Sequence, residues 1–87
     1  METEETKILR RMFGRVLREK RKALGFSQEE LAHRAGLTPR YISLLECDKR
    51  QPTISTVYLL AEGLGVSMAE FVAEIEFAMP EKVKRAG

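Results

Sequence analysis

The sequence predicts an all-α domain of five short helices, and three observations lead to it. Apolar residues recur at steps of three and four rather than two, the period of a helix face. Ser27, Thr38, Thr53 and Ser67 each stand just before such a stretch, where a side-chain oxygen can accept from the free N–H groups of a first helical turn. Three Pro and six Gly in 87 residues, with 44% hydrophobic and 32% charged residues, fit a compact helical chain and not a disordered one. Nothing reads as a strand.

The first helix is expected over about residues 6–24. Ile8, Leu9, Met12, Phe13, Val16, Leu17 and Leu24 form one stripe, and the opposite face is almost all Arg and Lys. Gly25 stops this helix as a left-handed residue past its end. Ser27 starts the second helix with Glu30 three positions on, the spacing of a reciprocal capping box, and Gly36 ends it after Ala35. Thr38 caps a third helix, with Pro39 at the first position, where its missing N–H leaves no bond unmade; this helix is expected to reach Cys47. Beyond the polar turn Asp48-Lys49-Arg50-Gln51-Pro52, Thr53 caps a fourth helix that ends at Leu64. Ser67 with Glu70 forms a second capping box and opens a fifth helix to about Ala78. One domain is expected over residues 1–79, with its core over about 13–71 and a flexible tail at 80–87.

A chain of this length buries only about 60% of the surface that its unfolded form exposes. Nearly every apolar residue is needed for the core, which leaves little to wall a substrate cleft. No nucleophile, base and orienting group occur in a believable arrangement, so no enzyme is expected. One Cys and one His exclude a disulfide framework and a metal constellation, and no cofactor or small-molecule ligand is implied. No apolar run approaches the roughly 18 residues of a membrane span. The start Met1-Glu2-Thr3-Glu4-Glu5 is acidic where a secretory signal is basic and then apolar, so a cytoplasmic location is expected.

The net charge of +2 hides a polarised chain. From Lys7 to Arg50 twelve basic residues face five acids, giving +7, whereas from Thr53 to Met79 there is no basic residue and four glutamates give −4. Either the basic segment meets phosphate and the acidic one does not, or a solvated surface is merely sorted along the chain. The local pattern at the centre of the chain decides between them.

There, two short helices joined by a four-residue turn form a unit whose second helix can stand proud of the core. Leu31, Ile42 and Leu45 have the character of an inner face. Ala32 is small where the helices cross, and Gly36 sits where a left-handed turn penalises a Cβ. The stretches Leu17-Arg18-Glu19-Lys20-Arg21, Gly25-Phe26-Ser27-Gln28-Glu29-Glu30-Leu31-Ala32, Ala35-Gly36-Leu37-Thr38, Tyr41-Ile42-Ser43-Leu44-Leu45-Glu46, Arg50-Gln51-Pro52-Thr53 and Leu64-Gly65-Val66-Ser67 complete the pattern. In these residues, from about Phe13 to Phe71, the sequence resembles the Xre/Cro/phage-repressor helix-turn-helix family. The resemblance implies a lambda-repressor-like fold whose third helix lies in the major groove, while the second offers its N-terminus to a phosphate.

Because Ile42 and Leu45 face inward, Arg40, Ser43 and Leu44 share the outer face of helix three, flanked by Thr38, Pro39 and Tyr41. Arg40 either makes a bidentate contact to guanine, worth about 1–3 kcal/mol of discrimination, or meets a phosphate or solvent. Ser43 is open to base or phosphate, and Leu44 can pack on a thymine methyl. The resemblance places Gln28 at a phosphate or an outer base, and Lys49 and Arg50 on the backbone after the recognition helix. Arg15, Arg18 and Lys22 either extend that footprint or are solvated.

The resemblance further implies a partly buried ion pair between Arg21 and Glu46, a structural link from helix one to the end of helix three. Where the family usually has Gly after the recognition helix this chain has Asp48, which tolerates a left-handed backbone but brings a negative charge near the expected phosphate path. Cys47 is either a redox-active thiol or an ordinary small residue at a helix end. His33 is expected on the solvated face of helix two, and Tyr58 on the surface of helix four. Tyr41 either packs its ring on helix two or places its hydroxyl near a phosphate.

A single small module buries too little surface for high specific affinity, so a homodimer on two half-sites about 34 Å apart is expected. Leu64, Val66, Met68, Phe71, Val72, Ile75, Phe77 and Met79 form either its interface or a cap on the core. The function expected is sequence-specific regulation of transcription on double-stranded DNA, most readily repression. The alternative is an antitoxin or other protein-interaction module on the same fold.

Overall fold

The computed structural model describes residues 2–81. Their five helices are α1 (Glu4–Ala23), α2 (Gln28–Ala35), α3 (Pro39–Glu46), α4 (Ile54–Leu64) and α5 (Met68–Ala78), with no strand among the described residues. Of the tail expected at 80–87, residues 82–87 lie outside the described residues. Among the described residues no single helix is long and apolar enough to cross a membrane.

Four helix starts expected from sequence are present. The side chains of Ser27, Thr38, Thr53 and Ser67 accept from the backbone N–H three residues on. Two details differ. Helix α1 begins at Glu4 rather than at residue 6, because Thr3 is its cap and Thr6 returns a bond to the Thr3 backbone, closing a box of two threonines. The box expected at Ser27 is only half formed: Ser27 accepts from Glu30 N–H, but the Glu30 carboxylate turns to Arg34 at 2.8 Å instead. An i,i+4 partner of opposite charge outcompetes the backbone for that side chain.

The core is where the apolar stripes of all five helices meet. Leu17, Leu31, Ile42, Leu45, Leu60 and Phe71 are fully buried, and the Phe13 and Phe71 rings lie 5.6 Å apart, joining α1 to α5. The α1 stripe is shorter than expected. Phe13, Val16 and Leu17 are buried, whereas Leu9 and Leu24 stay exposed near either end. Gly14 explains how α1 approaches α3: a Cβ there would stand 2.4 Å from the carbonyl oxygen of Leu45.

Candidate nucleic-acid interface

Helix α3 is anchored from beneath and left open above. Ile42 and Leu45 are fully buried, while Thr38, Pro39 and Arg40 are exposed and Ser43 and Leu44 half-buried. Thr38 Oγ1 accepts from Tyr41 N–H at 3.1 Å, so its hydroxyl fixes the start of the helix. Among the described residues Arg40, Lys49 and Arg50 form no ion pair, and all three are exposed. The outer face and the following turn therefore carry three cations that no anion among the described residues holds.

The base of α3 is tied to α1 by the pair that the resemblance implied. Arg21 donates from Nε to Glu46 Oε2 at 2.6 Å and from Nη2 to Oε1 at 2.9 Å, a bidentate fork, and its Nη1 donates to the carbonyl of Phe26 at 2.8 Å. Both side chains are buried, and the hydrogen bonds that Arg21 donates to Glu46 raise its pKa further above its ordinary value, against the opposing effect of burial. Gln28 Nε2 donates to the same Oε1 at 3.1 Å. Gln28 thus enters the site as the third member of this network, holding the N-terminus of α2 to the end of α3, rather than as a free side chain.

Tyr41 resolves toward packing. Its ring lies against the core, and its hydroxyl shares a hydrogen bond with Thr56 of α4 at 3.3 Å, where Thr53 also donates to Thr56. Its hydroxyl is therefore already engaged within the protein. His33 and Tyr58 are exposed, as expected, and so is Cys47, which ends α3 as its C-cap.

The turn after α3 keeps the geometry of a glycine turn without the glycine. Asp48 has φ +62°, Lys49 N–H donates to Leu44 O at 2.9 Å, and Asp48 N–H reaches Leu45 O at 3.4 Å, the two bonds of a Schellman stop. The Asp48 carboxylate is held from α1. Arg10 Nε donates to Oδ1 at 2.6 Å and Arg11 Nε lies 3.8 Å from Oδ2. The bond that Arg10 donates to Asp48 raises its pKa above the ordinary arginine value. Sequence reasoning passed over Arg10 and Gly14, since neither has a local signal: one partner lies 38 residues away and the other is a backbone atom of another helix.

Comparison with known proteins agrees with this geometry. A helix-turn-helix family model matches residues 17–71, more than half of the chain. The chain belongs to the Xre/Cro-like helix-turn-helix family. Within this family it is a transcriptional regulator with a DNA-binding fold and not an enzyme. It is 44% identical over 66 residues to the uncharacterised HTH-type transcriptional regulator y4dJ of Sinorhizobium fredii, covering 76% of this chain and 80% of that one. To the HTH-type transcriptional regulator PuuR of Escherichia coli it is 43% identical over 63 residues, covering 72% of this chain and 34% of PuuR. The helix-turn-helix chain described here therefore spans about a third of that relative. Among solved structures it is similar to the restriction-modification controller protein C.Esp1396I, with 31% identity, a TM-score of 0.74 and 85% of this chain and 91% of that chain covered.

Proposed function

We propose that this regulator binds a two-fold symmetric operator as a homodimer, with α3 in the major groove, and acts as a repressor by occluding a promoter. The observation that carries the reading is the outward face of α3: Arg40, Ser43 and Leu44 accessible above a buried Ile42 and Leu45, with exposed Lys49 and Arg50 in the next turn. Arg40 and Ser43 read bases, Leu44 packs on a thymine methyl, and Thr38, Pro39 and Tyr41 line the edge of the contact. Lys49 and Arg50 grip phosphate, and Gln28 meets it at the start of α2.

The dimer surface proposed follows exposure. Leu64, Phe71 and Ile75, expected at the interface from sequence, are core residues of one chain; Val66, Met68 and Met79 are half-buried, and Phe77 is exposed. A stripe on α5 supplies the core before it supplies an interface, because α1 covers it. A second apolar face lies elsewhere. Ile54 is 71% exposed and Tyr58 51%, and with Leu59 and Met68 they line one shallow hollow. Ile54 also borders a second hollow with Leu9, Val57 and Val72. We assign the dimer contact to this continuous face.

Selection of bound duplexes from a random DNA pool, followed by binding at several salt concentrations, tests the reading. Enrichment of a palindrome is the expected result. Failure to enrich one, with equal affinity for random duplex, discards specific regulation.

A further inference from the structure

Helices α1, α2 and α4 all end at a left-handed glycine, Gly25, Gly36 and Gly65, with φ between +72° and +76°. After α3 the same turn is made by Asp48 at φ +62°, the one non-glycine residue with positive φ among the described residues. Aspartate enters this region more readily than most residues but still less readily than glycine. It also sets a carboxylate directly before Lys49 and Arg50, where a negative charge opposes the approach of a phosphate. That carboxylate is not left to face outward alone. Arg10 and Arg11 of α1 hold both of its oxygens, and Arg10 is itself bonded on its far side by Glu2.

Two features bear on the role of this ion pair. Both arginines precede residue 17, so they lie outside the stretch matched by the helix-turn-helix family, while the aspartate lies within it. The pair is also only partly buried, with the Arg10 side chain 22% exposed and that of Asp48 29%, so its contribution to folding is small. Its charge, by contrast, sits one residue from the cations proposed to meet DNA.

We propose that Arg10 is a positioning residue for DNA binding, which neutralises Asp48 and fixes the turn bearing Lys49 and Arg50 against α1. The inference rests on the DNA-binding reading above. Arg10 touches no base; it removes a repulsion and holds two phosphate-binding side chains in place. In this arrangement the N-terminal turns of α1 set affinity for the DNA backbone without reading sequence.

The test measures binding of a duplex enriched from a random pool, and of a random duplex, to wild type, R10A, D48G and the double variant, with thermal melting of each. R10A is expected to weaken both duplexes by about three- to tenfold, since charges at the rim of a charged interface act at that scale. D48G alone binds at least as tightly as wild type, and adding R10A to D48G changes affinity by less than about twofold, the mark of two residues acting through one another. Arg10→Lys, which keeps the charge, recovers most of the loss. If R10A lowers the folded fraction, R10Q with and without D48G gives the same comparison. An equal loss in the wild-type and D48G backgrounds, or no loss from R10A, overturns the inference and leaves the DNA-binding reading standing. Absence of binding by wild type to either duplex defeats both.

Discussion

Glu46 is where three helices are joined through side chains. Its carboxylate accepts from Arg21 of α1 and Gln28 of α2 while its backbone ends α3, and both partners of the ion pair are buried. Breaking such a pair leaves a buried charge unmatched, so Arg21→Ala is expected to destabilise the fold by about 3–5 kcal/mol. For a domain of this size that lowers the melting temperature by about 15 °C or more, and an unchanged melting curve rejects the assignment. The exposed cations call for a different measurement. Arg40→Ala should relax preference at one base position of a selected site, whereas Lys49→Ala should weaken all duplexes and reduce the salt slope by about one unit. The partnership of Arg21 with Glu46 was legible through family resemblance. Gln28 as its third member was not, because which polar atom of a half-buried amide meets a carboxylate depends on how α2 and α3 cross.

At the scale of the element, Ser27-x-x-Glu30 and Ser67-x-x-Glu70 share a motif and differ in outcome. Ser67 N–H donates to Glu70 Oε1 at 3.2 Å, and this backbone bond, followed by that of the Ser67 hydroxyl, holds the Glu70 pKa below its ordinary 4.5. A carboxyl whose folded pKa is lowered stabilises above its unfolded value and loses that contribution as pH falls through the folded value. Melting temperatures of wild type and Glu70→Gln should therefore differ near neutral pH and converge once pH drops below 4.5 and through the lowered folded value. A pH-independent difference counts against the capping role. Glycine in a helix raises a question of sign at Gly14. Helix propensity alone favours alanine by about 1 kcal/mol. The new Cβ, however, would meet a backbone oxygen at 2.4 Å, which no rotamer change relieves. Overpacking of this kind costs about 1–3 kcal/mol, so Gly14→Ala is expected to lower stability despite its better propensity, as read by chemical denaturation.

At the scale of the molecule, the described residues of one chain span 36 × 24 × 20 Å and hold one helix-turn-helix, so the proposed operator of two half-sites a turn of DNA apart calls for two chains. Two apolar faces compete for the proposed dimer contact. One carries Ile54, Tyr58 and Leu59, and the other carries Leu24 and Phe77 beside the α1–α5 groove. Ile54 is the first residue of α4, where an acidic side chain suits the helix dipole, so Ile54→Asp leaves the fold intact. It is expected to give a monomer by sedimentation equilibrium and to cost about a hundredfold or more in affinity for a two-half-site duplex. Phe77→Asp is expected to leave the dimer unchanged; monomer from Phe77→Asp and dimer from Ile54→Asp would move the contact to the other face.

The sequence by itself determined the five helices and the inward face of the helix-turn-helix, because caps, left-handed turn glycines and apolar periodicity act within a few residues of one another. It also separated a basic segment from an acidic one. Only the tertiary structure decided which apolar residues of α5 are spent in the core, that the hydroxyls of Tyr41 and Thr56 share a hydrogen bond, and that Asp48 is answered by Arg10. Those outcomes depend on which helix faces cross and at what distance, and contacts between residues far apart in the chain leave no periodic trace in it.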